Sequence, residues 1–163
     1  MRTFIFTFCY LSFISLSLAD KDAKQIQIIE DKYQSLSEKI KCPQITAKEL
    51  KKLSPERYIL IDVRNPDEQK ISTLPQAIDE NTFFKNLHKY RDKLKIVYCT
   101  IGYRSGLFAE KHKKLKILNL AGGVLAWSHI HGTFMNEGKI TLKVHTYSKK
   151  WNFLNKSYQA IYD

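Results

Sequence analysis

Lys95-Ile96-Val97-Tyr98-Cys99-Thr100-Ile101-Gly102-Tyr103-Arg104-Ser105 is a short β-rich run that ends in a cysteine, then a loop, then the start of a helix. Ligands of open parallel sheets bind beyond the carboxyl ends of the strands, so a cysteine placed there faces a site. A loop curling back over it aims successive backbone N–H groups inward, as an anion nest. The helix that follows adds the positive end of its dipole. Both features favour a thiolate. Gly102 suits the sharp turn, because a positive φ costs it nothing sterically. Cys99 is therefore the candidate catalytic residue. Thr100, Ile101, Gly102, Tyr103, Arg104 and Ser105 are the candidate substrate-binding loop.

The neighbouring segments give this loop a frame. Thr46-Ala47-Lys48-Glu49 is a capping box opening a short helix through Leu53. Tyr58-Ile59-Leu60-Ile61-Asp62-Val63 is a continuous apolar run, the pattern of a strand buried on both faces. Phe83, Phe84, Leu87 and Tyr90 give a helical stripe, and Leu107, Phe108 and Leu115 another. Ile117-Leu118-Asn119-Leu120 reads as a third strand, closed by Gly122-Gly123, and a helix begins at Val124 to Trp127. Strands alternating with helices predict an α/β fold with a parallel sheet.

Both ends add to this frame. Residues 3–19 carry no charge, Arg2 supplies a positive flank, and Ser17-Leu18-Ala19 is a small-x-small site before Asp20. That is the pattern of a secretory signal peptide over residues 1–19. It predicts export, to a periplasm or a secretory lumen, with no membrane span once the signal is removed. Ile26, Ile29, Tyr33, Leu36 and Ile40 form one apolar stripe, predicting an amphipathic helix within residues 20–42. After Trp127, Ile140, Leu142 and Val144 alternate with polar residues, the pattern of a half-buried strand. Trp151, Phe153, Tyr158 and Tyr162 then suggest that residues 132–163 are an extension packed on the domain.

The chain has 163 residues, 44% of them hydrophobic and 26% charged, which excludes wholesale disorder. Three cysteines are too few for a disulfide scaffold or a Cys-only zinc site. Lys+Arg exceeds Asp+Glu by 27 to 16, a formal +11, with Lys111, Lys113, Lys114 and Lys116 clustered after the cysteine loop. That cluster is a solvated face or an attraction for anionic donors. No nucleic-acid recognition motif appears.

Over residues 43–131 the chain resembles the rhodanese (thiosulfate sulfurtransferase) family. Cys99-x-x-Gly102-x-Arg104-Ser105 is similar to its active-site loop, and Ile61-Asp62-Val63-Arg64 with Glu68 to its strand-plus-turn signature. Ser72-Thr73-Leu74-Pro75-Gln76-Ala77-Ile78 resembles its Ser-His-Ile-Pro-Gly-Ala-Ile segment, with Thr73 in place of His and Gln76 in place of Gly. Leu120-Ala121-Gly122-Gly123-Val124-x-x-Trp127 resembles its closing Gly-Gly and Trp.

The resemblance implies a rhodanese-like parallel sheet with helices on both faces, carrying an added N-terminal helix and a C-terminal extension. It also implies sulfur transfer from a small anionic donor such as thiosulfate, through a Cys99 persulfide, to a thiol, cyanide or protein acceptor. No metal or organic cofactor is required. Arg104 is then a donor contact or a structural ion pair. Asp62, Arg64 and Glu68 are structural supports of the loops.

Two other readings remain. One is a non-catalytic binding or persulfide-carrier module. The other is a phosphatase or arsenate reductase, whose Cys-x5-Arg loop needs its Arg at the position Ser105 occupies here. Cys42 is an unrelated thiol or a resolving partner of Cys99. His129-x-His131 alone is a poor metal signal.

Overall fold

A computed structural model describes residues 6–162, with side chains from residue 22. The expected signal peptide thus lies outside the described side chains. Helix α1 (Phe6–Ser37) leads into β1 (Gln44–Ile45) and α2 (Ala47–Lys52). Then follow β2 (Tyr58–Asp62), α3 (Pro66–Ile71), β3 (Ile78–Asp79) and α4 (Glu80–Lys85). β4 (Leu94–Tyr98), α5 (Tyr103–Lys111), β5 (Leu118–Leu120) and α6 (Gly123–His129) complete the frame of the site. The remainder holds short strands β6 (Phe134–Asn136), β7 (Lys139–Thr141), β8 (Lys143–His145) and β9 (Gln159–Ile161). Among the described residues no helix is long and apolar enough to cross a membrane.

β1 to β5 form one parallel sheet in the order β1-β5-β4-β2-β3. Its three inner strands send their side chains into two cores, alternating along β2 and β4 as the pleat requires. Leu60, Ile96, Tyr98 and Leu120 enter one core with residues of α1, α2, α6 and the C-terminal segment. Ile61 and Val97 enter the other, with Phe83 of α4 and Phe108 and Ala109 of α5. Helices therefore cover both faces, and every β2 residue from Ile59 to Asp62 is buried.

The N-terminal stripe docks. Ile29, Tyr33 and Ile40 are buried, while the helix ends at Ser37, short of the expected residue 42. The Thr46 cap forms as read: its hydroxyl accepts from Glu49 N–H, and the Glu49 carboxylate accepts from Thr46 N–H.

Several expectations from periodicity are corrected. The stripe over residues 83–90 splits into α4 and a 3-10 turn, leaving Phe84 exposed. α5 stops at Lys111, and Leu107 faces solvent while Phe108 packs inward. Ile140, Leu142 and Val144 do not share a strand. β7 pairs with β6 in an antiparallel hairpin, β8 pairs with β9 in parallel, and the chain turns between them. Only Val144 of the three is buried; Ile140 is 74% exposed. The alternation was real, but no single sheet face spanned it.

The Leu74-Pro75-Gln76-Ala77 segment is a turn closed by Ala77 N–H donating to Leu74 O at 3.2 Å. Gln76 takes φ +59 there. Proline followed by a positive φ is the type II pattern, which favours glycine. The left-handed backbone costs a side-chain-bearing residue about 1–2 kcal/mol, partly offset by the chain entropy glycine would lose. Gln76→Gly should therefore stabilise the protein by about 0.5–1 kcal/mol, read as a higher urea midpoint. An unchanged or lower midpoint contradicts this.

Candidate active site

Cys99 directly follows β4, at the carboxyl end of the sheet. Its side chain is nearly covered, at 1% exposure, yet it lines a cavity of about 250 Å³ and is not sealed in the core. Gly102 N–H donates to Cys99 Sγ at 3.2 Å. Gly102 reaches this position with φ +98, as the cap of α5. A Cβ there would lie 2.7 Å from the Tyr33 ring and 3.1 Å from Leu120 O, so both backbone and space demand glycine.

Two neighbours hold the loop from behind. At the start of α6, Val124 N–H donates to Cys99 O at 3.0 Å, and Leu125 N–H to Thr100 O at 3.2 Å. These bonds turn the loop carbonyls toward α6. A Cβ on Gly123 would sit 2.2 Å from Cys99 O, which explains why a glycine opens this helix. Asn119 Nδ2, on β5, donates to Gly102 O and to Tyr33 Oη, both at 2.9 Å. In the sequence Asn119 stands only as one residue of the Ile117–Leu120 strand pattern. The signal was present: one amide among Ile117, Leu118 and Leu120 must find a partner if buried.

The substrate-loop residues divide. Thr100, Ile101, Tyr103 and Arg104 line the cavity with Cys99. Gly102 contributes its N–H. Ser105 does not reach the cavity; it is fully buried in α5. Among the described residues, Gly102 is the only member of the expected N–H nest bonded to Sγ.

Arg104 is an ion-pair residue. Its Nη1 and Nη2 donate to Glu68 Oε2 and Oε1 at 2.6 and 2.8 Å, and Nη2 also donates to Thr100 Oγ1 at 3.1 Å. Desolvation pulls the Arg104 pKa down, but the hydrogen bonds to Glu68 and its nearby acidic neighbours outweigh it, so it is raised. Burial pushes Glu68 up, but Arg104 and the Asn65 N–H outweigh that and hold it below its ordinary 4.5.

A carboxylate depressed on folding stabilises fully above its unfolded value, and that contribution is lost as pH falls through the folded value. Urea midpoints should thus start to drop below about pH 4.5, and Glu68→Gln should flatten part of that drop. Identical acid profiles for the two proteins would contradict this.

Asp62 and Arg64 lie one layer deeper. Arg64 Nη2 donates to Asp62 Oδ2 at 2.7 Å and Nε to Oδ1 at 2.9 Å, with both side chains almost fully covered. Arg64 Nη2 also donates to Ser72 O, and Tyr98 Oη donates to Asp62 Oδ2 at 2.7 Å. The pair ties β2, β4 and the turn after α3 together.

The cavity has a roof that the sequence did not announce. Leu36 comes from α1, and Tyr147 and Trp151 from the C-terminal segment. The Arg104 guanidinium lies 5.3 Å from the Tyr147 ring centroid. The lysine cluster, by contrast, is remote. α5 carries the chain away from Cys99 over nine residues, and Lys114 and Lys116 line a separate cleft with Arg91, Lys93 and Lys95. At about 1.5 Å per residue that exceeds a Debye length of about 8 Å, so attraction of donors to the thiol by these lysines is not supported. Cys42 and Cys99 are both free thiols; Cys42 packs against the core of Ile61, Phe83 and Val97 and does not line the Cys99 cavity.

A rhodanese-like domain model matches residues 46–130, which hold the capping box, the Asp62–Arg64 pair, the Cys99 loop and the Gly-Gly helix start. The chain belongs to the rhodanese-like family. Among solved structures, a rhodanese-related protein from Thermoplasma volcanium is 26% identical, covering 58% of this chain and 99% of its own, at TM-score 0.49. The rhodanese-like domain of an Anabaena protein is 21% identical, covering 58% of this chain and 79% of its own, at TM-score 0.50. A thiosulfate sulfurtransferase from Pseudomonas aeruginosa is 17% identical at TM-score 0.54, covering 68% of this chain but only 23% of its own. The last two share the fold with this chain. The search of curated proteins found no match.

Proposed function

We propose that this rhodanese-like chain is a sulfurtransferase that carries a sulfane sulfur on Cys99. The observation that carries the reading is the Cys99 sulfur on the floor of a cavity, at the end of β4, receiving the Gly102 N–H. An N–H donated to the cysteine sulfur favours its thiolate, the form that attacks a sulfur donor. The Cys99 thiolate attacks the outer sulfur of a donor such as thiosulfate, and sulfite leaves with the electron pair of the broken S–S bond. A thiol, cyanide or protein acceptor then takes the outer sulfur.

Glu68 and Arg104 serve as positioning residues for the loop, since they spend their charge on each other. Asp62 and Arg64 support the strand ends. The spacing from Cys99 to Arg104, with Arg104 bound to Glu68, offers no free guanidinium for a phosphate and argues against phosphatase chemistry. The uncharged run of residues 3–19, with its small-x-small end, supports reading the chain as exported, to a periplasm or a secretory lumen.

The test is sulfite release from thiosulfate by the purified protein, together with its intact mass. A gain of one sulfur atom on Cys99, discharged by cyanide, is the expected result. No sulfite and no mass gain with any donor would favour a binding module instead.

A further inference from the structure

We infer that the cavity over Cys99 selects an organic sulfur donor carrying a flat apolar group, and that Leu36, Tyr147 and Trp151 set this preference; the inference rests on the sulfurtransferase reading. The walls give the first reason. Besides Cys99, Thr100 and Arg104, the cavity is faced by Ile101 and Tyr103 of the loop and by Leu36, Tyr147 and Trp151 from outside it. An apolar space of about 150 Å³ already admits a benzene ring, and this one is about 250 Å³.

Electrostatics gives the second. The lining cation, Arg104, has both terminal nitrogens on the Glu68 carboxylate. A doubly charged inorganic donor would shed hydration here with little return, whereas a singly charged donor with an apolar tail gains contact area.

The third reason is how Tyr147 is held. It has φ +69, and Ser148 N–H donates to Thr146 O at 2.8 Å, the i to i+2 bond of a γ-turn. Tyr147 N–H donates to His145 Nδ1 at 3.1 Å. Such a backbone is strained for an aromatic residue, and strain of this kind gathers at ligand-facing positions. Lys32 of α1 sits 5.7 Å from the Trp151 ring centroid, joining the two halves of the roof. Leu36, Tyr147 and Trp151 all lie outside the family-matched residues 46–130, so this roof belongs to the segments added to the common domain.

The reaction with such a donor is balanced. The Cys99 thiolate attacks the outer sulfur of R–SO2–S⁻; the S–S bond breaks, and its electron pair leaves on the sulfinate R–SO2⁻. The product on the protein is Cys99–S–S⁻, so two negative charges stand before the exchange and two after it, and no proton or oxidant is consumed.

The experiment compares benzenethiosulfonate, methanethiosulfonate and thiosulfate as donors to the full chain, with cyanide as acceptor. Each kcat/KM is divided by the rate of that donor with a free thiol, to remove intrinsic reactivity. The benzene donor should exceed the methane donor by about tenfold or more, since apolar pocket contacts discriminate on that scale. Leu36→Ala and Tyr147→Ala, at side chains more than a third exposed, should shrink this ratio; Trp151→Ala should do so further. A ratio near unity in the native protein, thiosulfate as the best donor, or a ratio unmoved by all three variants would overturn the inference while leaving Cys99 chemistry intact. Failure of all three donors to place sulfur on Cys99 would instead remove the sulfurtransferase reading.

Discussion

Cys99→Ser should reduce sulfite release from thiosulfate to background, a fall of about 10⁴-fold or more. The reason is chemical. The persulfide needs a sulfur nucleophile, and a serine hydroxyl is protonated at neutral pH and forms no sulfur–sulfur bond. The loop itself should survive. A serine oxygen still accepts from Gly102, and the bonds from Val124 and Leu125 to the loop carbonyls do not involve the side chain. The stability change should stay within about 1–2 kcal/mol, so circular dichroism and the urea midpoint would show a folded, inactive protein. Cys42→Ser, at a residue that does not line the cavity, is the control and should keep its turnover. Retained activity in Cys99→Ser would place the nucleophile elsewhere and end the proposed mechanism.

Arg64→Met should cost about 3–5 kcal/mol, because it strands the Asp62 carboxylate in the protein interior. Asp62 would keep the Tyr98 hydroxyl and the Arg64 backbone N–H but lose its countercharge. Ser72 O would lose a donor as well. For a domain with a net stability of about 5–15 kcal/mol, such a loss removes a large part of the margin. The double variant Asp62→Leu with Arg64→Met should recover part of it, since an apolar pair leaves no lone buried charge. Chemical unfolding of the three proteins measures the coupling. A cost below about 1 kcal/mol for Arg64→Met would mean that the pair is dispensable. Activity should fall only in step with the unfolded fraction, because neither side chain lines the Cys99 cavity.

The two departures from the family segment have different outcomes. Gln76 occupies the turn position that glycine would fill, at the cost of a left-handed backbone. Thr73 exchanges two backbone bonds with Met135, at 2.8 and 2.9 Å, and so fastens the turn to the β6–β7 hairpin. Neither enters the cavity over Cys99.

The sequence by itself determined the local parts: the parallel strand–loop–helix order, the Thr46 cap, the glycine at residue 102 and the thiol at residue 99. Each is governed by neighbours in the chain, through backbone angles, caps and the alternation of buried side chains, so each was legible from a few adjacent residues. It also put Arg104 in the cysteine loop, and the family resemblance made Glu68 a structural support, but whether Arg104 meets a donor or an ion pair stayed open; the fold placed Glu68 against it. Only the tertiary structure decided the roof. Leu36, Tyr147 and Trp151 belong to opposite ends of the chain, and no local rule states which apolar surfaces will meet. The same holds for Asn119, whose partners Tyr33 and Gly102 come from two other elements, and for Ile140 and Leu142, whose alternation could not reveal that the chain turns between two small sheets. Short-range geometry is written in consecutive residues, whereas long-range burial depends on the competition among all apolar faces for one interior.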